Sequence, residues 1–391
     1  MRASRIIPLA GAAIAVLGLG VGTAMADPAS TPPAQSIVAV GSDTLTPTFD
    51  QFATDYDATT PTYPLYSWDA TGTSPIETKN NTACSSTTRP NGSGAGISSV
   101  STSPSFTSGG TSYKCMDLAR SSRALASTDP TNMAQDVIAE DLISYSYLPT
   151  GNIPSNLTPT DLKAIFSCNA SLINSADSGP VTEAEIGGKG SDVVLPVIPQ
   201  SSSGTRSTWL VNDLGLSNTT VASCVVNGSY TFGGTAYPIE ENEGTNPVFL
   251  PADNASAADV IFPYSGGDYV CYNDTAACAA SQFGTEFDSG SLVLGDVKNG
   301  TTTYVPLSGT APNQTINVAG FYTNYDRSLY VDFISTGTKP YIPTYLQALL
   351  GTGTKGTGWL CTKTSPATGQ ADITKYGFAN TPNCGTITLT P

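Results

Sequence analysis

Two segments of the chain share one design, in which a short apolar strand leads into a Ser/Thr/Gly turn that opens directly onto an amphipathic helix. The first turn is Gly-Ser-Asp-Thr at 41–44, and the second is Gln-Ser-Ser-Ser-Gly-Thr-Arg at 200–206. A helix N-terminus carries unpaired N–H groups and a partial positive charge, so hydroxyl side chains and glycines there suit a small oxyanion. Because Ser and Thr are also common N-caps, each turn alone fits either interpretation.

The helices that would hold these turns are marked by apolar stripes. We expect the first helix over 47–56 and the second to end at Gly215. A third helix start is predicted at Thr158-Pro159, where Thr158 caps the helix and Asp161 bonds back. Short strands alternate with such helices, which predicts an α/β protein. The residues of the first two stripes are Phe49, Phe52, Ala53 and Tyr56, and Trp209, Leu210 and Leu214.

The N-terminus has the pattern of a secretory signal peptide. Arg2 and Arg5 precede an apolar run over 6–21, and Ala24-Met-Ala26 is a small-x-small cleavage site. Cleavage after Ala26 would leave 365 residues, and because no Cys follows that site we expect no lipid anchor. No later segment is typical of a transmembrane helix. The sequence therefore predicts a secreted, extracellular protein without a membrane span in the mature chain.

Composition argues against several classes of function. The formal charge of the chain is −15, and loss of the signal peptide would make it −17, so nucleic acid and anionic membranes are disfavoured as partners. The chain has no histidine, which rules out Ser-His-Asp and Cys-His catalysis and His-ligated metal sites. Acidic residues are plentiful, so hydrolysis by paired carboxylates stays formally open, although no pair stands out by spacing. We expect no cofactor and a monomer.

Eight cysteines in an exported chain favour disulfides over free thiols. Their order suggests local pairing, although sequence alone does not fix it, and a CxxC metal spacing is absent. The expected pairs are Cys84 with Cys115, Cys168 with Cys224, Cys271 with Cys278, and Cys361 with Cys384.

Six segments follow one another along the chain in the order Gly-Ser-Asp-Thr-Leu (41–45), Asn-Gly-Ser-Gly-Ala-Gly (91–96), Met-Asp-Leu-Ala-Arg-Ser-Ser-Arg (116–123), Leu-Thr-Pro-Thr-Asp-Leu-Lys-Ala-Ile-Phe (157–166), Pro-Gln-Ser-Ser-Ser-Gly-Thr-Arg (199–206) and Pro-Tyr-Ser-Gly-Gly-Asp-Tyr-Val (263–270). Together they resemble the phosphate-binding proteins of bacterial ABC importers. Two tail segments, 326–331 and 373–378, look like the C-terminal part of secreted Gram-positive relatives. The resemblance implies a two-lobed type II periplasmic-binding-protein fold with a ligand cleft between α/β lobes.

The resemblance also implies a division of the chain. After the signal peptide (1–26) and a Pro-rich linker (27–35), we expect lobe 1 from 36–140 plus 266–391 and lobe 2 from 141–265. The chain would cross between the lobes twice, near 141–147 and near 263–270.

Carried over residue by residue, the resemblance implies a set of ligand-binding residues on both lobes. The family's cleft Asp aligns with Ser122, and its Arg aligns near Pro199, so Arg206 is expected to supply the cation and Asp43 or Asp117 an acceptor. The candidate ligand-binding residues, with their neighbours, are Asp43, Thr44, Leu45, Ser93, Gly94, Ser121, Ser122, Arg123, Ser203, Gly204, Thr205 and Arg206.

The departure at Ser122 affects the expected specificity. A buried acceptor selects hydrogen phosphate over sulfate, because sulfate would face it without a proton to donate. With Ser122 in place of that acceptor, rejection of sulfate would weaken unless Asp43 takes over the task. The leading hypothesis is a non-enzymatic receptor for phosphate or a similar tetrahedral oxyanion that serves an ABC permease. The alternatives are a surface or adhesion module that has kept the fold, and a phosphomonoesterase.

Overall fold

The computed structural model describes residues 27–274, 278, 288–335, 337, 340–362 and 368–391. The predicted signal peptide lies outside the described residues. Among those that are described, no helix is both long and apolar enough to cross a bilayer.

The strands of the described chain are numbered β1 to β19 in chain order. They are Ile37–Gly41, Leu65–Ser67, Ser105–Ser108, Thr111–Lys114, Leu118–Ser121, Met133–Tyr147, Asn156–Leu157, Leu195–Ile198, Val226–Asn227, Ser229–Phe232, Thr235–Pro238, Val260–Ser265, Val293–Leu294, Asp296–Asn299, Thr302–Tyr304, Leu307–Ser308, Thr315–Ile316, Asp326–Ile334 and Ile387–Leu389.

The described α-helices are numbered α1 to α7. Helix α4 continues directly into a π-helical stretch, Thr208–Asp213. The helices are Thr46–Asp57, Ser93–Ser101, Pro159–Ser167, Gly204–Ser207, Gly266–Asp274, Gln347–Leu350 and Gly369–Lys375.

The predicted helices are present close to their expected positions. Helix α1 covers the predicted 47–56, and α3 begins with a complete capping box between Thr158 and Asp161. The glycine-rich segment near 92–96 forms the start of α2. Gly92 is the N-cap of this helix and adopts a φ of +90°, a conformation that favours glycine.

One long strand joins the two halves of the molecule. The main sheet runs in the order β2-β1-β5-β18-β6-β12-β8-β9, and β6 is 15 residues long. The first part of β6 pairs with β18, whereas its last residues pair with β12. The sheet therefore changes from one lobe to the other within β6.

Each lobe buries apolar side chains on both faces of its part of the sheet. In β1, Ile37 and Ala39 join one core cluster while Val38 and Val40 join another, as alternation along a strand requires. In β12, Ile261 and Phe262 divide in the same way between two further clusters. The predicted two-lobed α/β fold is confirmed.

The predicted boundary of lobe 2 needs a correction at its C-terminal end. Val297, Ile316, Phe321 and Tyr325 belong to the same core cluster as α3. Strand β13 pairs with the end of β6, and β14 pairs with β7. Residues 293–325, which the sequence analysis placed in lobe 1, therefore pack with lobe 2, and the chain returns to lobe 1 through β18.

Disulfides close local loops in both lobes. The bonds join the predicted pairs, and no described cysteine is free. They are Cys84–Cys115, Cys168–Cys224, Cys271–Cys278 and Cys361–Cys384.

Candidate functional site

The two hydroxyl-rich turns meet at the junction of the lobes. Thr44 follows β1 in lobe 1, Thr205 lies in the first turn of α4 in lobe 2, and their Oγ1 atoms are 3.4 Å apart. Nearby, the Gly94 N–H donates to the Ser202 carbonyl across the same junction at 2.9 Å. The structure therefore shows the lobes closed on each other.

A carboxylate from the protein itself occupies the meeting point. The Oε2 atom of Glu241 accepts from Thr44 Oγ1 at 2.7 Å and from Ser42 Oγ at 3.3 Å. Its Oε1 atom accepts from the Gly204 backbone N–H at 2.7 Å. The Glu241 side chain is buried, so donors from both lobes hold one desolvated carboxylate. Such charge-assisted hydrogen bonds are about twice as strong as neutral ones.

A network of serines supports these donors. Ser122 Oγ lies 3.0 Å from Ser42 Oγ and 3.2 Å from Ser93 Oγ, and the Ser122 N–H donates to Ser93 Oγ at 3.0 Å. Gly204 packs directly against this network, and a Cβ atom at that position would overlap both the Ser93 and the Ser122 hydroxyl groups. Close approach of the lobes thus depends on the missing side chain of Gly204.

The cation of the cleft is Arg327, at the start of β18. Its Nε and Nη2 atoms donate to Asp141 Oδ2 at 2.9 and 2.7 Å. Its Nη1 atom donates to Thr205 Oγ1 at 2.9 Å and to the Ser122 carbonyl at 3.2 Å. Because Asp141 lies in β6, this buried ion pair sits at the point where the sheet passes between the lobes.

Acidic groups surround the site. Burial raises the pKa of Asp43 well above its usual value, and Glu240, Glu241 and Asp268 raise it further. Burial likewise raises the pKa of Asp268, and Asp141 adds to the effect. Neither carboxyl oxygen of Asp43 has a hydrogen-bond partner among the described residues. A raised pKa favours the protonated form of a carboxyl group, and that form can donate a hydrogen bond to an anion.

Asn242 fixes the loop that carries Glu241. Its Nδ2 atom donates to Thr44 Oγ1 at 3.1 Å and also to Asp268. Its Oδ1 atom accepts from the Ser265 N–H at 2.9 Å, and the Tyr264 hydroxyl donates to its carbonyl. Asn242 itself adopts a left-handed φ of +58°. Such a conformation in a residue other than glycine is held by its surroundings and is often found at functional sites.

Several predicted ligand-binding residues do converge on the cleft. Ser93 and Ser122 lie in the serine network, and Gly204 donates through its backbone. Thr44 and Thr205 stand on opposite sides of the cleft. Leu45 follows Thr44, but its side chain packs into the lobe 1 core.

Arg206 lies elsewhere, and the prediction that it supplies the cation is corrected. Its guanidinium donates to both Asn218 Oδ1 and the Asn218 carbonyl, to the Pro199 carbonyl and to Asn227 Oδ1, at 2.6 to 3.0 Å. These partners all belong to lobe 2, so Arg206 joins loops within that lobe.

The remaining predicted positions have local structural roles. Ser203 Oγ accepts from the Arg206 N–H as an N-cap, and Ser121 Oγ donates to the Arg123 carbonyl. Arg123 forms a two-pronged ion pair with Asp129. The other candidate acceptor, Asp117, is held by Lys79, the Val38 N–H and the Tyr345 hydroxyl, away from the cleft.

Sequence reasoning missed five residues that complete the site. Ser42 lies inside the segment 41–45, Asn242 lies beside Glu241 in the segment 240–244, and Arg327 lies in a tail segment that was used only for the resemblance. The acidic segment 240–244 was assigned no role, although four polar or acidic residues in a row are an unusual loop. The missed residues are Ser42, Asp141, Glu241, Asn242 and Arg327.

Acidic and cysteine side chains of the described chain form no group of three or more arranged to hold a metal ion. The chemistry that the described residues offer at this site is hydrogen bonding to an anion by neutral donors, beside the Arg327 guanidinium, which is already paired with Asp141.

Comparisons with known proteins show the fold. No family model matches the chain, and no curated protein matches it either. The fold is similar to the crystal structure of an ABC-type phosphate transport receptor from Vibrio cholerae, with a TM-score of 0.50 at 15% identity over 88% of this chain and 100% of that one. A phosphate-binding protein from Stenotrophomonas maltophilia gives a TM-score of 0.40 at 13% identity over 89% and 91%. PstS from Borrelia burgdorferi gives 0.40 at 13% identity over 88% and 98%.

Proposed function

We propose that this protein is an extracellular receptor that binds phosphate or a similar tetrahedral oxyanion in its interlobe cleft and serves an ABC importer. The observation that carries the proposal is the convergence of Thr44, Ser42 and the Gly204 N–H, from both lobes, on a single carboxylate. Donors that hold a buried carboxylate are equally able to hold another oxyanion, because both present partly negative oxygen lone pairs. The likeness of the fold to a phosphate transport receptor supports the same proposal.

The charges in the cleft limit how an anion can bind there. Arg327 is already neutralised by Asp141, and the Glu241 carboxylate occupies the cleft donors. An added anion would face this acidic surrounding unless a negative charge left at the same time. We therefore expect the anion to replace the Glu241 carboxylate rather than to bind beside it.

The proposed site has a weak filter between phosphate and sulfate. Ser122 is neutral, and the raised pKa of Asp43 favours its protonated carboxyl group, which is a donor. A hydrogen-bond donor cannot accept the proton of hydrogen phosphate, and it binds sulfate oxygens as readily as phosphate oxygens. It therefore does not reject sulfate. We expect the two dissociation constants to differ by less than about tenfold, which is about 1.4 kcal/mol.

A second candidate function is a secreted surface module that has kept the fold without an external ligand. The observation that favours it is that the cleft donors are satisfied by Glu241 alone. No observation on the described residues favours the enzyme alternative, because the carboxylate that Ser42 contacts, Glu241, is itself held by Thr44 and the Gly204 N–H, and Arg327 is held by Asp141.

Isothermal titration calorimetry with phosphate and with sulfate tests the receptor proposal. Thr44→Val removes a cleft donor at constant volume, whereas Thr54→Val makes the same change on the exposed side of α1. We expect binding by the wild type and by Thr54→Val, and at least about tenfold weaker binding by Thr44→Val. Equal binding by both variants would place the anion elsewhere and contradict the proposal.

A further inference from the structure

We propose that Glu241 is a built-in ligand of the cleft, which holds the lobes closed without a bound anion and has to leave before an external anion can enter. This inference rests on the proposed function for the identity of that anion. The internal contact itself is independent of it.

The contacts of Glu241 are those of a bound ligand rather than of a surface acid. Each of its two oxygens accepts a short hydrogen bond, at 2.7 Å, from a different lobe. Both donors come from the two turns that open onto helices, Thr44 before α1 and Gly204 at the start of α4. The carboxylate therefore bridges the same groups that an interlobe anion would bridge.

The backbone on both sides of Glu241 is anchored, so the side chain is the part free to leave. Asn242 is held from Thr44, Ser265 and Tyr264. On the other side, Glu240 accepts from Asn91 Nδ2 at 2.9 Å. The carboxylate would therefore leave the donors by rotation about the side-chain torsions of Glu241.

Such a tethered carboxylate competes as an intramolecular ligand. Its effective concentration is high because its attachment is short, and external binding is weakened by the fraction of molecules in which the donors are free. If Glu241 occupies the donors about 99% of the time, the apparent affinity for an external anion falls about 100-fold. The exchange also removes the Glu241 carboxylate from the donors, which compensates for the entering charge.

The test compares Glu241→Ala with the wild type in two measurements. Calorimetric titration with inorganic phosphate should show at least about tenfold tighter binding by the variant. Small-angle X-ray scattering without anion should show a larger radius of gyration for the variant, because it lacks the bridging carboxylate. Glu243→Gln removes a carboxylate from the same loop outside the cleft and should match the wild type in both. Glu241→Gln keeps the side-chain volume and repeats the test if Glu241→Ala fails to fold.

The outcomes separate the two proposals. Phosphate affinity in Glu241→Ala that equals or falls below that of the wild type overturns the role of Glu241 and leaves the receptor proposal standing. No phosphate or sulfate binding by the wild type or either Glu241 variant overturns the receptor proposal. In that case, expansion of Glu241→Ala in scattering still supports the built-in ligand, and an unchanged radius overturns it.

Discussion

Arg327 contacts residues of both lobes in the cleft. It joins Asp141 of β6 to Thr205 of lobe 2, and both members of the ion pair are buried. Sequence reasoning chose Arg206 because it adjoins the Ser-Gly-Thr turn. Arg327 is 122 residues beyond Thr205, and only the antiparallel pairing of β18 with β6 brings it there.

Replacing Arg327 by Ala should lower the free energy of unfolding by about 3–5 kcal/mol, because it leaves Asp141 buried without its cation. Arg123→Ala is the matched control. Its partner Asp129 is partly exposed, so we expect a loss of about 1–2 kcal/mol. Urea denaturation measures both. Equal losses would contradict the assignment of Arg327 as the central cation.

Arg206→Ala should act on lobe 2 and not on the anion. The change leaves carbonyl and amide oxygens of Pro199, Asn218 and Asn227 without their donor, which should cost about 2–4 kcal/mol of stability. Phosphate affinity should fall much less than in Thr44→Val. Calorimetric titration at a temperature where the variant is folded checks this, and loss of binding with unchanged stability would restore Arg206 to the site.

At the scale of elements, the local signals in the sequence were informative. The capping box at Thr158, the apolar stripe of α1 and the disulfide pairs all depend on residues close in sequence, and the structure forms them. The loop at 240–244 and the strand β18 contribute to the cleft only through long-range packing. No sequence pattern within either segment predicts that it packs at the cleft, which explains why Glu241 and Arg327 were missed.

The start of α4 is the element on which closure depends. Gly204→Ala should weaken phosphate binding by at least about tenfold, because its Cβ atom would overlap the Ser93 and Ser122 hydroxyl groups. Ser207→Ala, at the other end of α4, should bind like the wild type. The scattering radius of Gly204→Ala should also increase. Wild-type affinity in this variant would show that the lobes need not approach at Gly204.

The molecule as a whole carries many buried acids, and this should make its stability fall with rising pH. Burial raises the pKa of Asp136 in β6, and that of Glu243, to about 7. In the unfolded chain these groups titrate near about pH 4, so between about pH 4 and 7 the folded state binds protons that the unfolded state has released. Folding is therefore favoured at acidic pH, and this advantage is lost as pH rises towards about 7.

The melting temperature should accordingly be higher at about pH 5 than at about pH 8. Asp136→Asn should reduce the difference and stabilise the protein at about pH 8, by on the order of 2–4 kcal/mol. Calorimetric melting of the wild type and this variant across the pH range is the check. A melting temperature of the wild type that rises with pH would contradict the pKa directions.

The central claim is that donors from two lobes form an oxyanion site whose present occupant is Glu241. The most direct measurement is a crystal structure of the wild-type protein grown with saturating phosphate. The account predicts phosphate within hydrogen-bond distance of Thr44 Oγ1, Ser42 Oγ and the Gly204 N–H, with the Glu241 carboxylate turned away. Glu241 still bound to these three donors, with the cleft otherwise empty, would contradict it.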